Sequence, residues 1–183
     1  MAVEPSYLEL LQNISVAESE AECYLTAWAE VTPNAEFRGI LETIALREGE
    51  HGKAFAKRVC ELGYSTPGPN SKDVEAKMAI AASRDFTDLE KFDKLGVTPF
   101  LQDDAEDIFT PMLSDKTIDI QTGTLLGRYI SEERDSVRML RACHDELSCD
   151  MGSQSSSVTD GLSAQLGRIE ALLEQLLTKP GKK

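Results

Sequence analysis

Glu48-Gly49-Glu50-His51 puts a carboxylate and an imidazole one helical turn apart, in the middle of an apolar row. The row runs Phe37, Leu41, Ile44, Glu48, His51, Phe55, Val59 in steps of three and four, the repeat of one face of an α-helix. Upstream, Leu11, Ile14, Glu18, Ala21, Leu25 and Trp28 keep the same spacing, again with an acid inside the apolar row. A carboxylate turned into a core is costly to desolvate unless something pairs with it. Two carboxylates and an imidazole pointing into one helical bundle form a donor set for a metal ion. The competing reading makes His51 a core histidine hydrogen-bonded to Glu18.

Working outward, the first helix is expected from about Ser6 to Val31, with Ser6 and Glu9 spaced as a capping box. Thr32-Pro33 breaks it and starts the second helix, which runs to about Leu62 before Gly63. So short a connection predicts an antiparallel hairpin. A third helix is expected over about 72–95, with the row Val74, Met78, Ala81, Asp85, Asp88, Phe92 and Leu95. A fourth is expected over about 119–148, with Leu126, Tyr129, Glu133, Ser136, Leu140, Cys143 and Leu147. The insertion between them, 96–118, reads as one or two short helices capping an end of the bundle. Glu132, beside Glu133, competes for the inward position. Tyr24 and Tyr129 read as packing residues within reach of the carboxylates.

The two halves overlay weakly. Glu18 with Leu25 matches Asp85 with Phe92, and Ile44, Glu48, His51 and Phe55 match Tyr129, Glu133, Ser136 and Leu140. Glu18-Ser19-Glu20-Ala21, Glu48-x-x-His51 and the Leu41–Ala45 stretch resemble the rubrerythrin branch of the ferritin-like superfamily, over about residues 6–148 and most closely in the first hairpin. The resemblance implies an all-α, ferritin-like four-helix bundle with a two-metal carboxylate site. Carried over by position, its ligands are Glu18, Glu48, His51, Asp85 and Glu133. It implies iron, with manganese or zinc as alternatives, and reaction of Fe(II) with O₂ or peroxide, as a ferroxidase or a rubrerythrin-like peroxidase. Ser136 stands where the family has a second histidine, and Asp85 is one methylene shorter than the family's Glu; Asp88, one turn on, is a substitute. The second metal is therefore expected to bind weakly. The alternative function is a non-catalytic bundle serving as a structural or protein-interaction module.

Three segments are expected: a bundle over 1–149, a Gly/Ser-rich flexible linker over 150–157, and an amphipathic helix with its tail over 158–183. A lone leucine-striped helix of that length is marginal in water, so a homodimer through it is expected. The low aromatic content of 6% and the lack of alternating β-branched runs argue against sheets. The net charge of −13 argues against nucleic acid and anionic membrane surfaces as partners; it is compatible with metal ions, but by itself reads first as a solvated surface. Cys23, Cys60, Cys143 and Cys149 form no Cys-x-x-Cys pair. With no signal-like or spanning apolar run, a reducing cytoplasm is the expected compartment.

Overall fold

The computed structural model describes residues 4–68, 71–102 and 107–177, with side chains as far as residue 149 except that of residue 71. Among the described residues there are five α-helices and two 3-10 turns, and no strand. The helices are α1 (Leu8–Val31), α2 (Ala35–Glu61), α3 (Ser71–Ala81), α4 (Asp88–Lys94) and α5 (Ile120–Leu177). The 3-10 turns are Thr98–Leu101 and Thr110–Leu113. The all-α class expected from the sequence is observed. None of the described helices is long and apolar enough to cross a membrane. The chain divides into two compact units, 1–144 and 145–183.

Within the first unit, α1 and α2 form the expected antiparallel hairpin. Gln12 Nε2 donates to the Ser65 carbonyl at one end, Ser15 Oγ to the Gly52 carbonyl in the middle, and Trp28 meets Phe37 edge-on at the other. The helices touch closely because Gly52 has no side chain. A Cβ there would stand 2.5 Å from Ser19 Oγ, 3.1 Å from the Ser19 nitrogen and 3.3 Å from the Ser15 carbonyl oxygen. The caps differ from those expected. Asn34, not Thr32, starts α2, its Oδ1 accepting from the nitrogens of Glu36 and Phe37. Ser6 does not cap α1; its hydroxyl binds Asp115 and Thr117 across the chain. Gly63 ends α2 as expected, with φ +88°.

The third expected helix is two helices. The Thr87 hydroxyl accepts from the Glu90 nitrogen while the Glu90 carboxylate accepts from the Thr87 nitrogen, a complete capping box that starts α4 afresh. The row of spaced residues counts correctly through this break, yet the backbone does not follow it. Lys77 over the Tyr24 ring, then Asp88 at the start of α4 against Trp28, show the chain advancing along α1 from α3 to α4. Residues 98–102 and 107–113 then return antiparallel to α5: Arg141 donates to the Gln102 carbonyl, Arg134 to Asp107, and Phe109 meets Tyr129. The described parts of the 96–118 segment therefore lie along α5 rather than capping an end, because two arginines and an aromatic on α5 anchor them at successive levels. Residues 103–106 of that segment lie outside the described residues.

α5 starts at Asp119, whose Oδ1 accepts from the nitrogens of Gln121 and Thr122 while Oδ2 binds Tyr7, Thr122 and Arg58. These contacts fasten α5 parallel to α1. α5 continues through the Gly/Ser-rich stretch where a linker was expected. Glycine and serine weaken a helix by about 1 kcal/mol or less each, and no proline interrupts this run. The side chains of 150–183, which carry the expected leucine stripe and dimer contact, lie outside the described residues.

Two cores sit at opposite ends of the first unit. One packs Tyr7, Leu11, Ile14, Phe55, Val59 and Leu126. The other is aromatic: Trp28, Phe37 and Phe92 meet with ring centroids 5.0–5.5 Å apart. Between them lies a polar layer.

Candidate metal centre

The polar layer is the meeting point of Glu18 on α1, Glu48 and His51 on α2, and Glu133 on α5. Each offers one ligand atom, and these four atoms all lie within 4.8 Å of one another. Glu18, Glu48 and His51 are buried, and the Glu133 side chain is 14% exposed. Helical repeat explains the convergence. Glu48 and His51 are one turn apart on the face of α2 that packs on α1, and the absent side chain of Gly52 lets Glu18 come within reach.

The electrostatics are those of crowded acids. Burial, and then the neighbouring Glu48 carboxyl and Glu133, push Glu18 up to about 10. Burial also raises Glu133, against the pull of His51. For His51 burial acts downward, but Glu133, Glu48 and Glu132 outweigh it and hold the imidazole at about 10. The Tyr129 phenol is raised by burial and by the Glu18 charge, so it keeps its proton and donates it to Glu18 Oε1 at 2.7 Å.

His51 is oriented from outside the cluster. Its Nε2 pairs with Glu132 Oε2 at 2.7 Å, and Glu132 Oε1 accepts in turn from Arg128. Burial opposes ionisation of Glu132, but the hydrogen bonds from His51 and Arg128 hold it below the usual carboxylate range. The imidazole edge against Tyr129, centroids 5.1 Å apart, fixes its tilt. Nδ1 thus faces the carboxylates. It forms ion pairs with Glu133 Oε1 at 3.2 Å and Glu48 Oε2 at 3.8 Å, yet neither Nδ1 nor Glu133 Oε1 makes an aligned hydrogen bond. Two buried polar atoms that face each other, close but misaligned, are what a cation between them would satisfy. Three carboxylates and one nitrogen are a hard donor set suited to Fe(II) or Mn(II), with Zn(II) also accommodated. The residues present fit a metal.

The other expected ligands are elsewhere. Asp85 lies in the break between α3 and α4, exposed, with its nitrogen donating to Ser83 Oγ, and it does not join the cluster. The reason is that α3 stops at Ala81 and the capping box starts α4 afresh at Thr87, leaving Asp85 between the two. Asp88 is buried but already satisfied: Trp28 Nε1 and Thr32 Oγ1 each donate to it at 2.7 Å. Ser136, where the resemblance led to the expectation of a second histidine, is buried and accepts from Arg47 Nη1 at 3.3 Å, and Arg47 also pairs with Asp135. A guanidinium beside Ser136 opposes a second dication there.

Sequence reasoning left Glu132 and Glu133 as rivals. Both face His51, one on each nitrogen. Two adjacent acids one turn from Arg128 and opposite a histidine were the available signal. Arg47 as a partner of Ser136 had no signal in the sequence. No protein-family profile, no curated protein and no solved structure matches the chain.

Proposed function

We propose that this protein is a ferritin-like metalloprotein that binds Fe(II), with Mn(II) as the alternative, between α1, α2 and α5, and that it handles the iron with O₂ or peroxide. The observation that carries the reading is the pair of buried, unbonded atoms, His51 Nδ1 and Glu133 Oε1, inside a cluster that also holds Glu18 and Glu48. Without a metal, the crowding of three carboxyls is relieved by the protons that Glu18 and His51 retain; a dication would replace those protons and let all three acids ionise. Bound iron would supply one-electron chemistry. Glu18, Glu48 and Glu133 would bind it, and the Glu132 hydrogen bond would keep His51 Nδ1 turned inward. Tyr129 holds Glu18 in place through its phenolic proton.

The donor count and Arg47 favour one tightly held metal over two. That same incompleteness supports the second reading, a non-catalytic bundle, to which the exposed Leu46 and Ile120 would contribute contact surface.

Anaerobic titration of metal-free protein with Fe(II) is expected to saturate near one equivalent. Glu48→Ala is expected to weaken uptake by at least about 100-fold, beyond the 10- to 100-fold typical of residues one shell further out. Peroxide-dependent oxidation of the bound iron, lost in the variant, separates the first reading from the second. Zero stoichiometry in the wild type would falsify the metal centre.

A further inference from the structure

Glu18, Glu48 and Glu133 also line a cavity of about 330 Å³, together with Leu95, Val97, Phe100, Leu101 and Ile108 from the chain that follows α4. Most of the remaining lining is apolar, including Leu25, Ile44, Phe109, Val137 and Leu140. Lys77, on α3, is the one cationic residue among the described residues that line it. Its Nζ stands 5.5 Å from the centroid of the Tyr24 ring.

Dioxygen and peroxide are little larger than a water, whose share of liquid volume is about 30 Å³. This space is roughly ten times that. It falls at the lower end of the range for organic-ligand sites, about 300–1,000 Å³, and has their character: apolar walls with a few convergent polar groups. The charges give a bound molecule its direction. The acidic wall repels an anion, and Lys77 attracts one, so an acid would lie with its carboxylate at Lys77 and its tail against the aliphatic residues.

We propose that the cavity beside the Glu/His cluster binds a small, unbranched apolar carboxylic acid, its carboxylate at Lys77 and its chain against Ile44, Val137 and Leu140. The proposal rests on the metal-centre reading for what the acid's tail lies beside, but binding of the acid does not require the metal. Calorimetric titration of the full chain with octanoate, with and without Mn(II), tests it. Octanoate is expected to saturate at one equivalent and to bind more tightly than octanamide, its neutral analogue. Lys77→Gln, on a half-exposed side chain, is expected to weaken octanoate by about five-fold, the upper range for a partly exposed ion pair, and to leave octanamide unchanged. Val137→Trp, which fills the cavity, is expected to abolish both; Val137→Phe takes its place if far-UV circular dichroism shows the Trp variant unfolded. Each variant is expected to retain Mn(II) uptake. Failure of octanoate to bind a wild type that takes up Mn(II) overturns the cavity proposal and leaves the metal reading intact. Octanoate binding in a wild type that takes up no Mn(II) supports the cavity and removes the metal reading. Undiminished octanoate binding in the cavity-filled variant, or equal affinity for octanoate and octanamide, overturns the proposal.

Discussion

Two buried acid sites lie along the same helix, about three turns apart, and they are opposites. Around Asp88, both carboxylate oxygens are met by neutral donors, Trp28 Nε1 and Thr32 Oγ1, while the nearby Lys91 ammonium is held by the Ala81 carbonyl. Around Glu18, three carboxyls crowd one imidazole, and two buried atoms are left without hydrogen bonds. The first arrangement is complete as it stands and ties α4 to α1. The second is the arrangement that the proposed cation would complete. The contrast gives a working rule for this molecule: a satisfied buried acid is architecture, and a crowded one with unbonded atoms is the candidate site.

Protons test the contrast most strongly. Glu18 and His51 both hold folded-state values of about 10, raised from 4.5 and 6.5. The native chain therefore keeps protons that the unfolded chain has released. Stability contributed by Glu18 is full below 4.5 and that by His51 below 6.5, and both are lost as pH rises towards 10. In metal-free protein each group contributes a slope of up to about 1.4 kcal/mol per pH unit inside its window. Thermal melts from pH 6 to 9 are expected to show melting temperature falling steadily. Saturating Mn(II) is expected to flatten the profile, and its binding at pH 7 to release on the order of two protons. A flat metal-free profile would break the contrast from the Glu18 side.

Asp88→Ala attacks the other side. It leaves two buried donors unpaired and frees the start of α4, at an expected cost of about 3 kcal/mol by urea denaturation. Metal affinity is expected to hold, because Asp88 does not touch the cluster. Gly52→Ala comes next. Its Cβ would meet Ser19 Oγ at 2.5 Å, breaking that hydroxyl's bond to the Ser15 carbonyl, and would press on backbone atoms at 3.1 and 3.3 Å, so about 2 kcal/mol of destabilisation is expected. Metal uptake should fall with it, as the shift separates Glu18 from Glu48. Gly49→Ala meets the flexible Glu22 side chain instead and is expected to be milder. The smallest effect is Glu132→Gln, expected to weaken metal binding about ten-fold by loosening His51, with little change in stability. An unchanged metal affinity there would remove Glu132 from the site.

These outcomes bear on what was legible in advance. The α1–α2 hairpin was readable because each helix repeats its apolar row without interruption, and Glu18, Glu48 and His51 lie within those rows. The all-helical class followed from the same periodicity. The second half resisted because period alone does not report breaks. Asp85 and Asp88 both fit the row, but Thr87 and Glu90, which belong to no row, decide that α4 starts anew. That places Asp85 in solvent and makes Asp88 the partner of Trp28. The 96–118 segment has no helical period at all. Its path along α5 depends on Arg134 and Arg141 reaching it from a distance in sequence. Glu133 was found by overlaying the halves, which is why its neighbour Glu132 remained a rival.

The close hairpin has a consequence for the order in which the centre is assembled. Glu18, Glu48 and His51 all belong to the first 61 residues, in two helices joined by three residues. Contacts so local in sequence close early and cheaply. During synthesis the hairpin is finished well before residue 133 is added. Three of the four donors are thus expected to stand ready on a nascent chain, and a captured ion would act as a template onto which α5 docks last.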